Sequence, residues 1–185
     1  MYNSIFSSSF YWIFDIPNFT ELKDYVDSRK DINNARESWS EHCKVDTIYL
    51  NSPDTQYLIK PSLDLFVLEA FSTNVKLNMS YPWINLYKKG YFQEIHDHKV
   101  DIACVFFIND GPHFSDFYFY NRNNNCVSNK FLSVLRDENL RLGDKYIPEY
   151  KEGQVIFFPG TMLHGVTPHK SDTIRKTVSC NFEIV

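Results

Sequence analysis

Three histidines stand where a metal site would need them. His96 and His98 are one residue apart in Gly90-Tyr-Phe-Gln-Glu-Ile-His96-Asp97-His98. Alternate residues of a β-strand share a face, so this spacing predicts that both imidazoles converge while Asp97 points away. Imidazole suits iron, zinc, copper or nickel, so the pair does not select the metal. Two unrelated polar residues at a strand end are the bland alternative. His164 closes the stretch Gly153-Gln-Val-Ile-Phe-Phe-Pro159-Gly160-Thr-Met-Leu-His164. A glycine turn leads into a buried strand, Pro-Gly stops it, and the histidine follows. A ligand delivered from a distant strand is what a facial three-ligand site with open positions requires; alone, His164 reads equally well as a surface residue.

A fourth element is cationic. In Arg175-Lys-Thr177-Val-Ser179-Cys-Asn181-Phe the residues Arg175, Thr177, Ser179 and Asn181 share one strand face, and Val178, Cys180 and Phe182 the other. Such a strand lies at the surface with its polar side in water, or it lines an interior. In an interior, Arg175 needs an anionic partner, because a buried unpaired charge is very costly. A carboxylate bound in two-pronged fashion supplies one. Asn85 and Tyr87 show the same parity just before Gly90, with Ile84 and Leu86 opposite.

The elements that must hold these residues are short. Residues 9–14 read as an opening strand, and a helix is expected from Thr20 to Arg29 with Thr20 as N-cap. Lys44 to Leu50 alternates as a strand does. A clearer helix runs from Pro61 to Thr73, with Leu63, Phe66, Val67, Ala70 and Phe71 forming an apolar stripe that needs a surface to cover. Beyond Trp83, apolar segments at 83–87, 91–96, 101–108, 114–120, 154–158 and 174–184 alternate with turns. They predict a β-sandwich or barrel and no repeated βαβ units. Asn121 to Asn129 is a polar loop, and one helical turn is expected near Leu132 to Leu142. His42, His113 and His169 read as solvated. Trp83 and the run Phe114–Tyr120 read as packing residues, with Tyr118 or Tyr120 as candidates for the mouth of the site.

Composition sets the outer bounds. At 185 residues, 43% hydrophobic and 17% aromatic, the chain has enough apolar material for one core and no resemblance to a disordered tail. Sixteen Phe and twelve Tyr against six Gly favour sheet packing. The formal net charge of -4 gives no electrostatic head start toward nucleic acid. Cys43, Cys104, Cys126 and Cys180 form no CxxC pair; Cys104 and Cys180 lie in apolar strand-like runs and read as buried thiols, and the expected setting is reducing and cytoplasmic. No run of about 18 apolar residues is present, so no membrane span is expected.

Taken together, the residues Asn85-Leu-Tyr87, Gly90, His96, Gly153 to Pro159, His164 and Arg175-Lys-Thr177 resemble the pattern of the 2-oxoglutarate- and iron(II)-dependent oxygenases. The chain is most similar to their small prolyl 4-hydroxylase-like branch, and the resemblance covers about 83–182. It implies a mainly β fold, a double-stranded β-helix or jelly roll, with N-terminal helices packed on one sheet. Residues 1–185 would form a single domain, 1–80 giving the N-terminal strand and supporting helices and 81–185 the core with the site. It also implies an iron(II) ion held by His96, His98 and His164, with 2-oxoglutarate as co-substrate. Arg175 would meet the distal carboxylate with help from Thr177, and Asn85 and Tyr87 would contact the same molecule. Molecular oxygen and a peptidyl or small-molecule substrate would complete the reaction, a C–H hydroxylation, with peptidyl proline the first candidate and a methylated nucleobase the second.

One position departs from the usual His-x-Asp, since His98 stands where the carboxylate is expected. Asp97 and Asp101 are fallback carboxylates of wrong parity and wrong spacing. The intervals around His96, His98 and His164 also resemble the metal-binding cupins, which share the barrel. A cupin would work without 2-oxoglutarate and has no need of Arg175-x-Thr177 or Asn85-x-Tyr87. A structural protein with a relict site is a third reading.

Overall fold

A computed structural model describes residues 9–29, 36–37, 43–50, 55–73, 75–121 and 144–185. Their order is β1 (Trp12–Asp15), α1 (Phe19–Ser28), β2 (Arg36–Glu37), β3 (Asp46–Tyr49), α2 (Gln56–Ala70), β4 (Leu77–Met79), β5 (Trp83–Tyr87), β6 (Gln93–His96), β7 (Ile102–Phe107), β8 (Phe117–Tyr120), β9 (Lys145–Tyr146), β10 (Gln154–Pro159), β11 (His164–Val166) and β12 (Arg175–Ile184). The large sheet runs β1-β10-β7-β12-β5-β3-β2, with β4 also on β12, and a smaller sheet runs β6-β11-β8-β9. All pairings are antiparallel, and the two sheets make the expected jelly roll with two helices outside it. Among the described residues no helix is long and apolar enough to cross a membrane.

Alternation along the strands of the large sheet builds two cores. Ile84, Leu86, Cys104, Phe106, Val155, Phe157, Val178, Cys180 and Phe182 face outward, where Leu22 and Val26 of α1 and Leu58, Ile59 and Phe66 of α2 cover them. Phe66 stacks on Phe157 with ring centroids 4.4 Å apart. The opposite face, with Tyr87, Val105, Phe107, Ile156 and Phe158, packs into the roll against Phe117 and Phe119 of the smaller sheet. Because the apolar face of β12 lies under the helices, its polar face is turned into the roll. Cys43, Cys104 and Cys180 are buried free thiols, and Cys126 lies outside the described residues.

Several boundaries differ from expectation for local reasons. The helix expected from Pro61 starts at Gln56, with Pro61 inside it. Burial of Leu58 and Ile59 draws the earlier turn into the helix, and Pro61 gives up only the bond to the carbonyl of Tyr57. Asn18, not Thr20, occupies the N-cap of α1, and its side-chain amide donates to the Leu58 carbonyl at 3.2 Å, tying the two helices together. The opening strand is 12–15, set by pairing of Trp12 to Asp15 with β10. The helical turn expected near Leu132–Leu142, and His42, lie outside the described residues.

Candidate metal and co-substrate site

His96 ends β6 and His164 begins β11, and the two residues are directly paired across the smaller sheet. Their rings are 4.3 Å apart, and His98 lies 5.2 Å from the first and 5.0 Å from the second. One ring nitrogen from each lies within 4.8 Å of the others, a spacing that one ion with bonds of about 2.1 Å draws together. Thus the three predicted histidines do meet.

The route to that geometry is not the simple alternation expected. β6 ends at His96, so His98 is not on the strand; it is held by its backbone N–H donating to the Gly160 carbonyl at 2.8 Å. β6 also carries a bulge, with His164 opposite His96 but Val166 opposite Gln93. That extra residue turns both Gln93 and His96 into the roll although they are three apart. Asp97 is exposed at the cavity rim, and Asp101 instead accepts the Ile184 N–H at 2.8 Å.

Hydrogen bonds set the tautomers of two of the imidazoles. His96 Nδ1 lies 2.8 Å from the carbonyl of Glu94, and His164 Nδ1 lies 2.8 Å from that of Met162. A carbonyl accepts only, so each Nδ1 carries the proton and each Nε2 keeps its lone pair. Burial lowers the pKa of all three, and mutual repulsion adds to this: His98 is pushed down to about 4 by burial and by His96, and His164 falls well below the ordinary value for the same two causes. His96 is lowered too, chiefly by burial. The cluster is therefore neutral at pH 7, the state a metal needs.

The other end of the same cavity, about 540 Å³ in volume, is formed by the polar face of β12. Arg175 is 2% exposed, and neither Nη1 nor Nη2 has a hydrogen-bond partner among the described residues. Its guanidinium sits 4.9 Å from the Tyr87 ring and 5.8 Å from that of Phe107. Arg175 pairs with Tyr87, and Thr177 with Asn85, across β12 and β5. The Asn85 amide donates to Thr177 Oγ1 at 3.3 Å and Ser179 Oγ at 3.0 Å, while its buried Oδ1 has no partner among the described residues. Tyr87 donates its hydroxyl to Gln93 Oε1 at 2.6 Å. Burial holds its phenol well above the ordinary pKa against the opposing charge of Arg175, so it remains a donor. A cationic fork with idle donors, facing an all-neutral ligand trio across one cavity, fits a metal-bound dicarboxylate.

Residues 81–181 match the family described as "Putative 2OG-Fe(II) oxygenase". The chain belongs to that family. 2OG-Fe(II) oxygenases are oxidoreductases that use iron(II) and 2-oxoglutarate, so the expected resemblance is borne out and the cupin reading falls away. No curated protein matches the chain by sequence. Solved structures that resemble it include a prolyl-4-hydroxylase from Pseudomonas putida, at 14% identity over 94% of this chain and 91% of the other, with a TM-score of 0.65. A viral collagen prolyl hydroxylase from Paramecium bursaria Chlorella virus-1, in complex with 2-oxoglutarate, is 13% identical over 95% and 96%, with a TM-score of 0.57. HygX from Streptomyces hygroscopicus, bound to nickel, 2-oxoglutarate and hygromycin B, is 8% identical over 94% and 82%, with a TM-score of 0.64. At such identities these likenesses speak for the fold.

Some residues of the oxygenase cavity were not singled out by sequence. Gln93 lines it, and Trp83, expected to be a packing residue, stands 6.3 Å from the His98 ring as part of its wall. Phe117 lines the cavity, whereas Tyr118, a candidate for the mouth, lies beneath Lys145. His169, expected to be solvated, is 1% exposed: the loop between β11 and β12 folds inward, and ring nitrogens can satisfy buried backbone groups as readily as water.

Proposed function

We propose that this oxygenase hydroxylates a C–H bond of a peptidyl proline, with iron(II) held by His96, His98 and His164 and 2-oxoglutarate anchored by Arg175. The observation that carries the reading is the buried guanidinium of Arg175, whose Nη1 and Nη2 have no hydrogen-bond partner among the described residues, in the same cavity as the histidine trio. When bound, iron(II) and 2-oxoglutarate supply oxidation at the cost of converting the 2-oxo acid to succinate and carbon dioxide, with oxygen as oxidant.

The chain's own residues bind and orient. The two free amino groups of Arg175 meet the distal carboxylate with charge-assisted bonds, and Thr177 Oγ1 adds a donor. Tyr87 and Asn85, which line the same cavity, would contact the same molecule once their present hydrogen bonds to Gln93, Thr177 and Ser179 rearrange. Phe117 and Phe158 close the inner walls and exclude water. With His98 in place of a carboxylate, the protein contributes no negative charge to the metal, so iron(II) is held less tightly than in a His-x-Asp site.

Substrate enters from the side away from Arg175. Along β12 the distance from Arg175 to Asn181 is about 20 Å at ~3.4 Å per residue, more than the co-substrate fills. The outer part carries Trp83, the half-exposed rings of Tyr49 and Tyr81, and Asn181, whose Oδ1 is a buried acceptor without a partner among the described residues. Aromatic faces take a pyrrolidine ring, and the acceptor takes a peptide N–H. Two of the similar structures are named as prolyl hydroxylases, which supports this choice. Residues 1–185 act as one domain, with 1–80 buttressing the 81–185 core.

The test is twofold. Arg175→Ala should raise the apparent 2-oxoglutarate constant about tenfold or more, the loss of hydrogen bonds worth ~1.4 kcal/mol or above, and leave iron(II) affinity unchanged. A blocked proline-rich peptide should gain one oxygen by mass only when iron(II) and 2-oxoglutarate are both present. Consumption of 2-oxoglutarate with a methylated nucleobase and never with a peptide would overturn the substrate assignment.

A further inference from the structure

Among the described residues no side chain hydrogen-bonds to Nη1 or Nη2 of Arg175, so the aim of its fork depends on the backbone that carries it. One side chain from elsewhere grips the two peptide groups flanking Arg175, and a second grips the peptide before those. Asn109, just past β7, donates Nδ2 to the Ile174 carbonyl at 2.9 Å and accepts the Lys176 N–H on Oδ1 at 2.7 Å. His169 accepts the Ser115 N–H on Nδ1 at 3.2 Å, which leaves Nε2 to donate to the Thr173 carbonyl at 2.8 Å. Its own backbone adds two bonds, from the Gly90 N–H to its carbonyl at 2.7 Å and from its N–H to the Tyr91 carbonyl at 2.8 Å. Gly90 turns the chain just after β5, with φ +82°, three residues beyond the Tyr87 that pairs with Arg175. One buried residue thus ties three segments together: its imidazole joins the loop after β7 to the approach to β12, and its backbone holds the turn after β5.

We propose that His169 and Asn109 are positioning residues of the co-substrate site, fixing the backbone from Thr173 to Lys176 so that the Arg175 fork meets the distal carboxylate of 2-oxoglutarate. This rests on the reading that Arg175 binds that carboxylate. Both nitrogens of His169 are committed, so the residue has no lone pair or proton left for chemistry; its effect passes through Arg175. A two-pronged contact tolerates errors of only about 0.5 Å and 10–20°. A guanidinium at the end of a long side chain magnifies any rotation of the backbone that carries it. Without the clamp, the start of β12 keeps its ladder to β5 but loses the contacts that set its twist relative to the loops behind it.

The experiment measures three quantities on His169→Ala, His169→Gln, Asn109→Ala, Arg175→Ala and the double variant His169→Ala/Arg175→Ala. They are the iron(II) dissociation constant, the melting temperature of the iron-loaded protein, and the 2-oxoglutarate constant from the melting shift under anaerobic conditions. His169→Ala and Asn109→Ala should each weaken 2-oxoglutarate about tenfold, as sub-ångström misplacement of an anchoring group does, and change iron(II) binding less than twofold. His169→Gln, whose amide both accepts and donates, should recover part of the loss. In the double variant the effect of His169→Ala on 2-oxoglutarate should vanish, because residues acting through one contact are not additive. Should His169→Ala fail to fold, Asn109→Ala and His169→Gln decide the matter. A lowered melting temperature with an unchanged 2-oxoglutarate constant in the clamp variants overturns the proposal, as does full additivity in the double variant. If Arg175→Ala alone leaves 2-oxoglutarate binding intact, it is the anchoring role of Arg175 that fails, a result separable from failure of the clamp.

Discussion

His96 and His164 face each other across β6 and β11, with ring centroids 4.3 Å apart and each Nδ1 bonded to the carbonyl two residues before it. Two strands thus present two imidazoles in matching tautomers before any ion arrives. That preorganisation makes either ring hard to replace. His96→Ala and His164→Ala should each abolish iron retention after desalting, measured by elemental analysis, with a circular dichroism spectrum close to wild type. Near-stoichiometric iron in either variant would remove that histidine from the ligand set.

His98 is tethered less firmly, by one backbone bond to Gly160 beyond the end of its strand. A shorter carboxylate at this position should still reach the ion and would add the negative charge the trio lacks. His98→Asp should therefore bind iron(II) at least as tightly as wild type, and His98→Ala should bind it well below. Asp97 is exposed, so Asp97→Ala should change little. An anaerobic titration in which Asp97→Ala is the weaker binder would show that the wrong neighbour has been assigned.

The depressed histidine pKa values have a definite sign. Below about pH 6.5 the unfolded chain takes up protons that the folded site refuses, since His98 is held near 4 and His164 well below its ordinary value. Metal-free protein should thus be most stable above pH 6.5 and lose stability steadily as pH falls from there toward 4. His98→Asn should flatten that slope. Iron(II) binding at pH 7 should release almost no protons, which calorimetry in buffers of different ionisation enthalpy reads directly. Release of one proton or more would mean the trio is not neutral beforehand.

Much of this site was legible because its determinants are local. The parity of β12 sorted Arg175, Thr177 and Asn181 from Val178, Cys180 and Phe182, and the apolar stripe of α2 said that something must lie beneath it. What stayed hidden depends on tertiary contacts. The bulge in β6 that brings Gln93 inside leaves no trace in alternation, since one extra residue reverses every side chain after it. His169 and Asn109 sit in turn-like text that reads as solvated, and only the inward fold of two loops gives them backbone groups to satisfy. Trp83 is an apolar letter at a strand start, and whether it faces core or cavity is set by its partners Tyr49 and Ser179.

Gly160 offers a sharper test of how the proposed metal ligands are held. A Cβ added there would collide with the carbonyl oxygen of Val100 and approach its Cγ2 to 2.7 Å. The same glycine accepts the His98 N–H at 2.8 Å and donates to the Asp101 carbonyl at 3.0 Å, so it is stitched to both ends of the 98–101 segment. Backbone cannot step aside as a flexible side chain does, so Gly160→Ala must push the segment, and His98 with it, away from His164. The expected cost is about 1–3 kcal/mol of stability, as for other overpacked sites, together with a clear loss of iron(II) affinity. Phe66→Ala supplies the control. It removes a fully buried ring under α2, on the far face of the large sheet, and should cost more, about 3–5 kcal/mol. Yet it should leave iron(II) binding unchanged at temperatures where the protein is folded. Equal loss of metal in both variants would mean that affinity follows global stability, and that the Gly160–His98 tether has no special part in it.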